Sequence, residues 1–170
     1  MKKRSLISAI LAGVMTVSMM SFTAFAAEND SVMPEIDGKT ISIDTVDELK
    51  WLSDYSYRSE ADETGIPVNF AGYTVKITGD ILNVGSFKPI KEFNGNMEGA
   101  VEGKTYATIS GLTVNETSGG AGLCAKSASG TFTKLIITDS TIHTADANAV
   151  AFSGNGFTSS FNYCKAINFE

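Results

Sequence analysis

Few residues in this chain are of a type that could do chemistry. His143 is the only histidine and Arg58 the only arginine beyond Arg4. Polysaccharide lyases need a cationic base, usually beside a calcium ion held by carboxylates. His143 stands alone in Ser140-Thr141-Ile142-His143-Thr144 and reads as a surface turn residue, and Arg58 falls at the end of a helical stretch. Glycosidases need two carboxyls at a set separation. Glu98 and Glu102 bracket a turn at Gly99, and Asp139 and Asp146 flank another segment. Both pairs read as solvated turn acids. Lys126, Lys134 and Lys165 fall at comparable positions and read as a solvated ladder or as protection of a sheet edge. Neither HExxH nor GxSxG occurs. No catalytic, cofactor-binding or metal-ligating residue is therefore expected, and the chain is read as not an enzyme.

Cys124 and Cys164 are too few for a disulfide framework and form no CxxC or Cys/His cluster. One bridge or two buried small apolar side chains are the alternatives, and their apolar, strand-like setting favours the second.

The elements that would position these residues begin after a leader. Lys2, Lys3 and Arg4 precede an apolar stretch from about Leu6 to Met20, and Ala24-Phe25-Ala26 closes it with small residues. That three-part form predicts a cleavable signal peptide over 1–26. No comparable apolar run follows, so no membrane span is expected after cleavage. Three of the 13 basic residues and none of the 19 acidic ones lie in the leader, so cleavage would move the net charge from −6 to −9. Such an acidic chain offers no footprint for a phosphate backbone, which argues against nucleic acid as a partner.

Residues 27–40, with Pro34 and Gly38, read as a flexible leader into a domain spanning 41–170. Thr45 followed by Glu48 is a capping box, and Asp44 and Asp47 add charge that a helix N-terminus favours. Val46, Leu49, Trp51, Leu52 and Tyr55 keep helical spacing, so a helix is predicted over about 45–57. Beyond it, short runs rich in Val, Ile, Thr and aromatics alternate with Gly, Asn, Asp and Ser: Tyr73 to Ile77, Phe87 to Ile90, Ala107 to Val114, Phe132 to Thr138, Ala149 to Phe152 and Phe161 to Phe169. Most aromatics in these runs are expected in the core.

The gaps are irregular, and a self-similarity appears at 28 to 29 residues. Ala121-Gly122-Leu123-Cys124-Ala125 aligns with Ala149-Val150-Ala151-Phe152-Ser153, and the segment from Phe132 aligns with that from Phe161. A unit of this size buries its strands only by stacking on a neighbour. The expectation is an all-β fold with one helix at its start, each unit forming about one coil of a β-solenoid; a β-sandwich with chance similarity is the alternative.

Thr45-Val46-Asp47-Glu48-Leu49, then Phe70 to Ile81, Phe87-Lys88-Pro89-Ile90, Phe93 to Gly99, Ile109 to Val114, Ala121-Gly122-Leu123 and Lys134-Leu135-Ile136-Ile137 follow in an order that resembles bacterial surface proteins built from GLUG-type repeats. The resemblance covers about Ile41 to Cys164. It departs where Asp80-Ile81-Leu82-Asn83 thins a usual turn and where the chain stops at Glu170, short of the further coils such proteins have. The resemblance implies an all-β fold, a right-handed parallel β-helix (solenoid) with one N-terminal capping α-helix, and a secreted or cell-surface, non-catalytic, adhesin-like domain, truncated, whose partner is a glycan, a host surface protein or itself through an open C-terminal coil. A carbohydrate-active β-helix enzyme and a non-functional fragment of a larger adhesin are the rival readings.

Overall fold

The computed structural model describes residues 32–145, 148–156 and 158–169. The segment 1–26 read as a signal peptide, Asp146 and Phe157 lie outside the described residues.

Strand β1 (Glu35–Asp37) turns through Gly38, at φ 57°, into β2 (Thr40–Ile43), and the two pair antiparallel. Glycine suits that corner because it has no Cβ to oppose a positive φ. β1 lies within the stretch read as a flexible leader. Helix α1 (Val46–Ser56) follows. The Thr45 hydroxyl accepts the Glu48 N–H at 3.3 Å, and the Glu48 carboxylate accepts the Thr45 N–H at 3.1 Å. Two N–H groups left free by the first helical turn are thereby satisfied. Leu49, Trp51, Leu52 and Tyr55 are buried, and Ser53 and Ser56 bond the backbone of Lys88 and Lys91, docking the helix.

The remaining strands are β3 (Thr74–Ile77), β4 (Gly85–Ser86), β5 (Asn96–Gly99), β6 (Ala107–Ser110), β7 (Leu112–Glu116), β8 (Cys124–Ser127), β9 (Thr131–Thr133), β10 (Leu135–Thr144), β11 (Ser153–Gly156), β12 (Ser160–Asn162) and β13 (Lys165–Phe169). They build three sheets. One has six strands in the order β1-β2-β3-β5-β9-β12; a second runs β13-β10-β7-β4, with β6 also paired to β10; the third is β11-β8. Among the described residues every named strand pair apart from β1–β2 is parallel.

The division into several separate sheets, one of them mixed, corrects the expectation of a single right-handed parallel β-helix with a capping helix. Most strands are only two to five residues long. Between them the backbone takes sharp corners at positive φ, as at Asn83 (57°), Lys134 (55°) and Tyr163 (55°), and the chain passes to a different sheet. Lys134 accordingly splits the strand expected from Phe132 to Thr138 into β9 and β10.

The returns to the six-stranded sheet are unequally spaced. Thr74 pairs with Asn96, 22 positions on; Asn96 with Thr131, 35 on; Thr131 with Ser160, 29 on. In-register stacking puts like side chains in columns. Ile41, Val75, Met97 and Phe132 form one column, all fully buried, and Ile81, Ile109 and Ile137 form a second. A third starts with Ile90 and Cys124. Burying such side chains contributes about 1.5–3 kcal/mol each, the main favourable term in the fold.

Candidate functional site: the exposed end of the core columns

Each buried column gains one last member near residue 160. Phe161 continues the column of Phe132, Ala166 that of Ile137, and Ser153 that of Cys124. β11, β12 and β13 are each the last strand of their sheet among the described residues. The end surface is thus the core in cross-section, framed by three strand edges.

Aromatic rings show the same asymmetry. Trp51 and Tyr55 of α1 begin a series that continues through Phe70, Phe93 and Phe132 to Phe161, with successive centroids 4.7, 5.8, 5.8, 5.5 and 5.3 Å apart. Trp51 and Tyr55 are buried. At the far end of the series Phe161 lies nearly parallel to Phe132, at 10°, yet is 48% exposed. Phe152 packs against both rings. Tyr163 beside it is 74% exposed, and Val150 and Ile167 are also exposed.

Two clefts of about 450 Å³ open on this end. Val150, Phe152, Ser153, Asn155 and Phe161 line one; Ile142, Val150, Ala166 and Phe169 line the other. The Ser153 hydroxyl is buried without a hydrogen-bond partner, so the third column ends on an unsatisfied polar atom. Gly154 fits only because it lacks a side chain: a Cβ there would sit 2.3 Å from the Ala121 nitrogen and 2.4 Å from Gly120.

The residues singled out for chemistry are not brought together. His143 is exposed on β10, in register with Asn115 of β7. Arg58 pairs with Asp62 and lies over the Tyr55 ring. Asp62 also accepts from the Tyr55 hydroxyl and from the Thr64 hydroxyl and N–H. Burial opposes ionisation of Asp62, but the Thr64 and Tyr55 bonds and the Arg58 charge hold its carboxyl below the usual range. Glu98 pairs with Lys76 at 3.7 Å, and Glu102 is exposed. Asp139 accepts from Thr138 and from the Asn168 amide at 2.8 Å. Lys126 pairs with Glu92 on the two-stranded sheet, Lys134 sits at a corner, and Lys165 of β13 lies over the Tyr106 ring. The three lysines therefore do not form one ladder.

Both cysteines are free. Cys124 is buried and Cys164 partly exposed. Burial pushes both thiols up, and at Cys164 bonds to backbone groups at Leu135 and Asn162 temper the effect. Among the described residues no group of three or more His, Cys, Asp or Glu could hold a metal ion, and no helix is long and apolar enough to cross a membrane.

The sequence spacing favours the core for most aromatics and does not set Phe161 apart from them. The exposure of Phe161 depends on which strand comes last in the sheet, which local spacing does not carry. No protein-family model, curated protein or solved structure matches this chain.

Proposed function

We propose that this chain is an exported, non-catalytic structural or adhesive domain that acts by association through the exposed apolar surface around Phe161. The observation that carries the reading is Phe161: a member of a column whose other residues are fully buried, yet half exposed on the last strand of its sheet among the described residues. Unpaired strand edges beside exposed apolar side chains are a template for pairing with another chain. Natural sheets commonly blunt such edges with charge, and between residues 148 and 169 Lys165 is the only charged residue. The signal-like segment 1–26 and the resemblance to GLUG-type surface proteins support export to the cell surface or beyond.

The test uses the processed chain, residues 27–170. Expected are release into the medium or onto the cell surface with Ala27 at the new N-terminus, and association with a glycan, a surface protein or itself that Phe161→Asp abolishes while the circular dichroism stays that of the parent. Turnover of a polysaccharide, lost when a single carboxylate such as Glu98 is replaced by Gln, would overturn the reading.

A further inference from the structure

The structure assigns a latent modification site at Asn94: its side-chain amide is open to hydrolysis only when the segment around it comes loose, and the product keeps that segment from closing as before. The inference is independent of the reading of Phe161 above.

Asn94-Gly95 is one of two Asn-Gly steps in the chain, the other being Asn155-Gly156. An asparagine before glycine is prone to self-attack, because no Cβ on the glycine keeps its nitrogen away from the side-chain carbon. The Gly95 nitrogen bonds to Cγ of Asn94, ammonia leaves, and a cyclic imide forms. Water then opens the ring at either carbonyl, giving aspartate or isoaspartate. Water enters and ammonia departs, with no change of oxidation state.

Packing requires both residues of this step. The Asn94 side-chain oxygen accepts the N–H groups of Ala128 at 3.0 Å and Ser129 at 3.3 Å, and its amide donates to Glu92 at 2.8 Å. Gly95 is buried, and a Cβ on it would lie 2.6 Å from the carbonyl oxygen of Phe70 and 2.8 Å from that of Tyr73. Only glycine fits there.

The same contacts hold the reaction off. The Asn94 N–H donates to the Asn69 carbonyl, the Asn96 N–H donates to that of Tyr73, and the Gly95 carbonyl accepts from Thr131. The backbone is pinned on both sides of the attacking nitrogen. Bringing that nitrogen to Cγ breaks these bonds together with those of the side chain. Reaction therefore runs through molecules in which this segment has opened, in proportion to their population.

Hydrolysis then changes what the segment closes onto. In aspartate one oxygen still accepts from Ala128 and Ser129, but the atom that donated to Glu92 becomes a carboxylate oxygen facing another carboxylate. Lys126, which pairs with Glu92 at 3.5 Å, offsets part of that repulsion. In isoaspartate the backbone is longer by a methylene, and Gly95 no longer falls in its slot between Phe70 and Tyr73.

The test incubates residues 27–170 in neutral buffer with and without urea and follows both Asn-Gly steps by peptide mapping and mass. In urea Asn94 and Asn155 should convert at similar rates, which sets the rate of the open chain. Without urea Asn94 should convert at least about tenfold more slowly than in urea. Conversion of Asn94 at the urea rate in the folded chain would overturn the inference. A second arm tests the product. Asn94→Asp should lower the urea midpoint, and adding Glu92→Gln should recover most of the loss, because the glutamine amide donates across the contact that Asn94 made. If Asn94→Asp alone does not fold, recovery of folding in the double variant reads out the same coupling. An Asn94→Asp chain as stable as the parent, or a loss that Glu92→Gln leaves in place, would overturn the inference as well.

Discussion

The carboxylate of Asp80 accepts the backbone N–H of Thr108 at 3.1 Å, joining segments 28 positions apart in the chain. Lys104 donates to the same carboxylate, and that bond, against a smaller opposing effect of burial, holds Asp80 below the usual carboxylate range. A depressed folded-state pKa means that the unfolded chain takes up the proton first. The contribution is therefore full above the unfolded value, about 3.9, and is lost as pH falls through the folded one. Asp62 acts in the same direction. Urea midpoints should hold steady from pH 7 to 5 and drop below about pH 4. Asp80→Ala should cost about 1–3 kcal/mol at pH 7, from the N–H left without its acceptor, and should flatten the acid limb.

Ser153 gives a prediction of opposite sign. Its hydroxyl is buried with no hydrogen-bond partner. Ser153→Ala should leave stability unchanged or raise it by about 1 kcal/mol, because an unsatisfied buried group is removed. A denaturant midpoint shifted clearly downward would show that the hydroxyl does have a partner.

Position along the ring series sets the cost of losing a ring. Phe93 is fully buried between Phe70 and Phe132. Phe93→Ala should cost about 3–5 kcal/mol, combining lost burial with an unfilled cavity. Phe161→Ala, measured in dilute protein, should cost only about 1 kcal/mol because the ring is half exposed already. Equal losses at the two positions would mean that Phe161 is covered within a single chain.

The two thiols should separate cleanly. With iodoacetamide on the native protein, Cys164 should react first, at a rate that keeps rising above pH 8.5 or so, the ordinary thiol value, because burial raises its pKa. Cys124 should react only on unfolding, since its thiol is fully buried. Peptide mapping after one equivalent of label distinguishes the sites.

How much of this was legible in the sequence depends on the range of the interactions involved. The start of α1 was, because Thr45 and Glu48 act within one helical turn. The alignment of Phe132 with Phe161 is also the register in which β9 and β12 pair. The arrangement of sheets was not legible. Intervals of 22, 35 and 29 between returns to one sheet hide most of the stacking from a fixed-period search, and corners such as Lys134 and Tyr163 need a left-handed backbone at residues that rarely announce it. The candidate site was least visible, since Phe161 looks like any other core aromatic until its place in the sheet is known.

Those unequal returns have a consequence for how the chain can be altered. Register is kept by the inward columns, while the connecting segments differ by as many as 13 positions, from 22 to 35, with no loss of alignment. A foreign peptide spliced into the connection around Glu102-Gly103, which is exposed between β5 and β6, should be displayed on the surface without disturbing the strands on either side. The same number of residues inserted into β9 would put Phe132 out of step with Met97.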